Sequence, residues 1–258
     1  MINGKSLTNI RGQSLTKDKL WTPRELFRQG TQGAWYDISD RSTLFQDTAG
    51  LIPAVVNQQV ALVKDKSGNG NHLTQETLGA RPYLYQDSDN KFYLLFDGVD
   101  DYMASPSFSW GSNNMLMTLL ANIPVAAGDF ISFGSYNNVS TWNFRISGNG
   151  YLHFISRGDG ATSAITSPVG GPSYLNRKVV ITQWATISAP NVGGQYDSAN
   201  AVNSAQAQGA GNFGTNTLEL GRRNPGGGYG KIAIYGLCTT AARHRGFTKL
   251  ETYMRKLK

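Results

Sequence analysis

From about Arg81 to Cys238 the chain runs in short stretches in which apolar and polar residues alternate, each closed by Gly, Asn, Asp or Ser. A two-residue period places one set of side chains on each face of a strand, so these stretches predict β-strands of about 5 to 9 residues separated by turns. RPYLY and KFYLLF flank QDSDN and predict a hairpin. MLMTLLANI, FISFGS, WNFRIS, YLHFIS, KVVITQWATIS, TLELGR and KIAIYGLC continue the series. WNFRIS and YLHFIS are joined through GNG, whose residues tolerate positive φ, and alternate cleanly enough that each should bury one face. GAWYDISD upstream reads as a short aromatic strand.

Two segments break the period. In TPRELF, Thr22 stands at an N-cap position, Pro23 at the first helical position and Glu25 in the first turn, which predicts a short helical turn. At the other end Phe247, Leu250 and Met254 recur at helical spacing among Arg and Lys, which predicts an amphipathic helix over 240–257. The Gly- and Ala-rich stretch 191–214 reads as a long surface loop around a short strand. The expected organisation is an N-terminal arm over residues 1–20 and one antiparallel two-sheet sandwich over 21–258.

Composition agrees with strands and turns: 30 Gly, 12 Tyr and 11 Phe among 258 residues. No apolar run is long enough to span a bilayer, and the first 20 residues lack the apolar stretch of a secretory signal. The single cysteine, Cys238, excludes an internal disulfide and reads as a small buried hydrophobe. The net charge of +7 is uneven, with six basic against two acidic residues in 1–31 and nine against one in 222–258. Basic ends on an acidic middle suit an acidic partner surface or solvated termini equally. No interleaving of aromatic and basic residues points to nucleic acid.

Catalytic constellations are sparse. The four glutamates, Glu25, Glu76, Glu219 and Glu251, are scattered and form no paired-carboxylate strand pattern of the kind glycoside hydrolysis uses. His72, His153 and His244 have no metal-ligand spacing, and no serine elbow is present. NPGGGYGK lacks the residues of a phosphate loop, and RGD at 157–159 reads as a turn. In FDGVDDY, Asp97, Gly98, Asp100 and Asp101 predict a tight turn whose carboxylates bond local amides; calcium on these aspartates or on DKSGNGN is the alternative. Trp110, Tyr136, Trp142 and Tyr229 lie in or beside Gly/Ser/Asn-rich segments, a composition that stacks on sugar rings, with core or hairpin packing as the competing reading of each.

Taken in order, WTPRELF, GAWYDISDRSTLFQDTAG, VKDKSGNGNHLTQ, KFYLLFDGVDDYM and LELGRR with the closing helix resemble the laminin-G-like, concanavalin A-like jelly-roll domain of tailed-bacteriophage virion structural proteins. The resemblance implies an antiparallel jelly roll used in binding or assembly: a non-enzymatic virion module on a tail appendage, tail fibre or capsid surface, without membrane insertion. Its partners would be other virion proteins, host surface polysaccharide and, by analogy with phage appendages, further copies of itself, as in a trimer. A stand-alone carbohydrate-binding module is the alternative, and a glycan-degrading enzyme the third reading.

Overall fold

The computed structural model describes residues 21–124, 128–134, 140–148, 150–159, 164–166, 173–223, 228–241 and 247–258, so the predicted arm, Tyr136 and the first half of NPGGGYGK lie outside the described residues. In chain order the strands are β1 (Gly33–Asp37), β2 (Leu44–Phe45), β3 (Leu62–Val63), β4 (Leu73–Thr74), β5 (Tyr83–Gln86), β6 (Phe92–Asp97), β7 (Met103–Ala104), β8 (Phe108–Ser109), β9 (Asn114–Asn122) and β10 (Gly128–Phe133). They continue as β11 (Thr141–Ile146), β12 (Leu152–Arg157), β13 (Ala164–Thr166), β14 (Lys178–Thr186), β15 (Asn191–Tyr196), β16 (Ala199–Ser204), β17 (Thr215–Asn216), β18 (Leu218–Leu220) and β19 (Lys231–Thr240), followed by helix α1 (Phe247–Leu257).

Two antiparallel sheets form the jelly-roll sandwich. One has the order β16-β15-β14-β9-β19-β6-β5, with β1 also on β19; the other runs β13-β12-β11-β10-β18-β7-β4-β3-β2. The alternation seen in the sequence sets the inner faces: Met115, Met117, Leu119 and Ala121 of β9 meet Phe130, Phe133, Trp142, Phe144 and Phe154 of the second sheet in one core. β9 is buried along nearly its whole length, because the first sheet is covered on its outside as well. There Trp35, Leu116, Leu120, Val180, Trp184 and Cys238 pack under Leu250 and Met254 of α1 and under Phe27. Burial on both faces is why MLMTLLANI reads as continuous apolar sequence.

Most predicted elements stand where expected, including the β5–β6 and β11–β12 hairpins. TPRELF opens a 3-10 helix over Pro23–Gly30, although Thr22 makes no side-chain cap bond. Two expectations are corrected. The stretch 191–214 is not a loop around one strand: it holds the paired strands β15 and β16, reversed at Asp197 and Ser198 with φ of 49° and 59°. Its glycines are packing notches, since a Cβ on Gly194 would lie 2.4 Å from the Phe154 ring. The helix does not reach back to residue 240, because Thr240 pairs with Leu116 and with Gly33 inside the first sheet.

Candidate functional site

The FDGVDDY turn follows β6. Gly98 has φ +81°, and a Cβ there would approach Lys231 N to 2.7 Å, so the turn requires glycine. Asp97 Oδ1 accepts the amides of Val99 at 2.8 Å, Asp100 at 3.3 Å and Asp101 at 3.3 Å. Asp101 Oδ2 accepts the Asp97 amide at 3.0 Å and is buried. Burial pushes the Asp101 carboxyl up to about 7; the Asp97 amide opposes this, and the charges of Asp97 and Asp100 add to it. The three carboxylates each bring an oxygen within 4.8 Å of the others, but Asp97 and Asp101 already use theirs on backbone.

The DKSGNGN loop has a similar economy. Asp65 accepts from Trp35 N, Ser67 N, Ser67 Oγ and Asn71 N at 2.6–3.0 Å. Asn69 and Asn71 both donate to Gly33 O. The loop thereby ties itself to the start of β1, and its side chains serve backbone groups that would otherwise be buried without partners.

The expected aromatic platform is not where the sequence suggested. Trp110 is 1% exposed and Trp142 is fully buried. Trp110 donates through Nε1 to Asn114 O at 2.8 Å, and its ring lies 5.0 Å from Phe133, 5.6 Å from Trp142 and 6.5 Å from Phe213. The polar flanks of these tryptophans belong to turns, while the rings insert between the sheets where apolar contact is available. Tyr229 is half-buried in an isolated bridge to Arg222, with which it also shares a side-chain hydrogen bond. The structure therefore does not bring Trp110, Trp142 and Tyr229 to one surface.

A different aromatic array occupies the outer face of the first sheet. On β5 and β6, Leu84, Leu94 and Phe96 point into the core, so Tyr83, Tyr85 and Tyr93 point out. Register sets Tyr85 opposite Tyr93, and a bulge in β19 brings Tyr235 beside them. Ring centroids step 6.1 Å from Tyr83 to Tyr85, 5.8 Å to Tyr93 and 5.2 Å to Tyr235, with interplanar angles of 24°, 30° and 37°. Exposure falls along the row from Tyr83, which is exposed, to Tyr235, which is buried.

The row ends in a cavity of about 320 Å³ lined by Asp87, Tyr93, Asn122, Asn176, Lys231 and Tyr235, among others. Lys178 Nζ lies 2.8 Å from Asp87, 2.7 Å from Asp89 and 5.3 Å above the Tyr235 ring. It also donates to the Lys258 carbonyl just past α1, which fixes the helix end beside the cavity. Burial works against ionisation of Asp87, yet hydrogen bonds from Lys178 and Tyr235 hold its carboxyl below the usual range. Burial, then the Asp87 charge, raises the Tyr93 hydroxyl, so Tyr93 stays a neutral donor. Asn122 Oδ1 is buried with no hydrogen-bond partner among the described residues. The arrangement can offer flat ring faces to an apolar surface and amide, ammonium and carboxylate groups to hydroxyls. The signal lay in the sequence: Tyr83, Tyr85 and Tyr93 hold alternate positions opposite in phase to Leu84 and Leu94.

No family model matches the chain, and no curated protein matches it. Solved structures share its fold. An arabinofuranosidase complexed with arabinofuranosyl-α-1,2-xylobiose is 13% identical at a TM-score of 0.57, over 92% of this chain and 65% of that one. The binding domain of Paraclostridial Mosquitocidal Protein 1 is 12% identical at 0.56, over 75% of this chain and 49% of the other. A botulinum neurotoxin type C structure, from a protein whose cell entry depends on interaction with two ganglioside molecules, is 14% identical at 0.53, over 80% and 50%. The chain thus spans from half to two thirds of the length of these structures.

Proposed function

We propose that this jelly roll is a carbohydrate-binding domain whose ligand lies along Tyr83, Tyr85 and Tyr93 and ends in the cavity beside Tyr235. The observation that carries the reading is the stepped row of tyrosine rings leading into a polar cavity. Ring faces accept the C–H faces of sugars, and a few convergent polar groups fix orientation. The neighbouring folds support it: one was solved with an arabinofuranosyl xylobiose, another belongs to a toxin that engages gangliosides.

The domain binds rather than cleaves. Glycoside hydrolysis needs one carboxyl kept protonated, whereas in the groove Asp87 is held ionised by Lys178 and Tyr235 and Asp89 pairs with the same lysine; the raised carboxyl of Asp101 is buried in its turn on the Asp97 amide, outside the groove. Glu219 is bonded to Arg222, and Glu251, on α1, is buried and bonded to Thr182 and Gln195 of the first sheet. A place on a phage virion, with other virion proteins and host polysaccharide as partners, is supported by the sequence resemblance; mass spectrometry of purified particles tests it. A glycan array followed by calorimetry tests the binding site. Tyr93→Ala and Asn122→Ala should each weaken the best array hit about tenfold or more, since loss of one stacked ring or bonded amide removes about 1–3 kcal/mol. An array without hits, or unchanged affinity in both variants, overturns the reading.

A further inference from the structure

The outer face of the second sheet carries a different chemistry. Trp142, Phe144 and Ile146 of β11 and Leu152 and Phe154 of β12 belong to the inter-sheet core. Thr141, Asn143 and Arg145, with His153, Ile155 and Arg157, therefore face outward. Register pairs Arg145 with His153, Asn143 with Ile155 and Thr141 with Arg157. Asn143 sits between the two arginines, each offset by two residues along the strands, about 7 Å.

Asn143 is 2% exposed, and neither its Oδ1 nor its Nδ2 has a hydrogen-bond partner among the described residues. Arg145 Nε is buried and likewise without one among the described residues, although register sets Arg145 opposite Asp129, whose carboxylate its charge favours. An amide left unbonded on both atoms is costly and rare in native structures, where strain, a functional role or a bound water or ion ordinarily accounts for it. Charge near it is positive. Across β10, the segment after β18 adds Arg222, bonded to Glu219, and Arg223, 3.8 Å from Asp129. Among the described residues, Arg145, Arg157, Arg222 and Arg223 share this region with the carboxylates of Glu219 and Asp129. Burial, then the Arg145 charge, lowers the His153 pKa, so that imidazole is neutral and adds no charge of its own. Tyr151, 39% exposed, closes the edge beside His153 and offers a ring face.

We infer that this face is a second saccharide site, selective for the carboxylate of an acidic sugar, with Arg145 as its fork and the Asn143 amide as its donor to the same group. A planar guanidinium matches a carboxylate in two parallel hydrogen bonds, which a neutral sugar cannot supply. The inference shares with the previous section only the reading that the ligand is a carbohydrate; the residues are separate.

Calorimetry or NMR titration of the full chain with sialyllactose, digalacturonate and lactose tests it. At least one acidic sugar should bind at least tenfold tighter than lactose, with about tenfold loss in Arg145→Ala, partial recovery in Arg145→Lys, and no change in Tyr93→Ala. Which acid binds separates a sialate from a uronate. Asn143→Leu, which replaces the orphan amide with an apolar group of similar shape, should keep the melting temperature and lose acid binding. Equal affinity for acidic and neutral sugars overturns the inference, as does unchanged acid binding in Arg145→Ala or Asn143→Leu. If Tyr93→Ala alone abolishes every saccharide signal, the tyrosine groove stands and this site does not.

Discussion

In the turn after β6 the three aspartates divide the work unequally: Asp97 caps three amides, Asp101 caps one from a buried position, and exposed Asp100 caps none among the described residues. Asp97→Ala and Asp101→Ala should each cost about 1–3 kcal/mol, and Asp100→Ala under about 0.5 kcal/mol. At this chain length that is roughly 2–4 °C in Tm per kcal/mol, readable by differential scanning calorimetry. Asp101 adds a pH signature. Its folded carboxyl titrates at about 7, above the ordinary 3.8. The fold therefore favours the protonated form, and that contribution is fully present below about pH 4 and lost as pH rises through 7. Asp101→Asn keeps an oxygen for the Asp97 amide and removes the titration. The Tm of this variant minus that of the wild type should rise between pH 4 and 7; a flat difference would show that Asp101 ionises normally.

At the scale of elements, helix α1 is held by more than its apolar stripe. Glu251, 3% exposed, accepts Thr182 Oγ1 at 2.7 Å and Gln195 Nε2 at 2.9 Å through one oxygen, and the Ser198 hydroxyl through the other. Tyr253 donates to Asp37 at 3.0 Å on β1. Glu251→Ala leaves three donors without their acceptor and should cost about 2–4 kcal/mol, exposing α1 amides to hydrogen exchange before the sheets open. Glu251→Gln, which keeps one acceptor, should cost clearly less. The helix itself was legible in the sequence because Leu250 and Met254 repeat at 3.6-residue spacing, and the strands because their alternation survives wherever one face is wet. Legibility failed where packing replaced propensity. β15 and β16 are rich in Gly, Ala and Asn, poor strand formers, yet they pair because Gly193 and Gly194 admit neighbouring groups that any Cβ would exclude. The tryptophans misled for the converse reason: their neighbours in sequence are turn residues, while their neighbours in space are phenylalanines.

Across the whole molecule, the tyrosine row and the arginine-flanked Asn143 lie on the outer faces of opposite sheets, with the common core between them. Packed sheets stand about 10 Å apart, and side chains project beyond that on both sides, so no residue of one surface touches the other. The core between them is close-packed aromatic and aliphatic side chain, from Phe154 through Trp142 to Met117. Such a core transmits little unless it has two arrangements to choose between. Substitutions on the two faces should then act additively. A Tyr93→Ala, Arg145→Ala double variant should lose neutral-sugar binding by the same factor as Tyr93→Ala alone, and acidic-sugar binding by the same factor as Arg145→Ala alone. A coupling above about 0.5 kcal/mol in that cycle would mean that the faces communicate or that one ligand bridges both around a sheet edge. The second case is separable, because a disaccharide too short to span the sandwich would restore additivity while a longer chain would not.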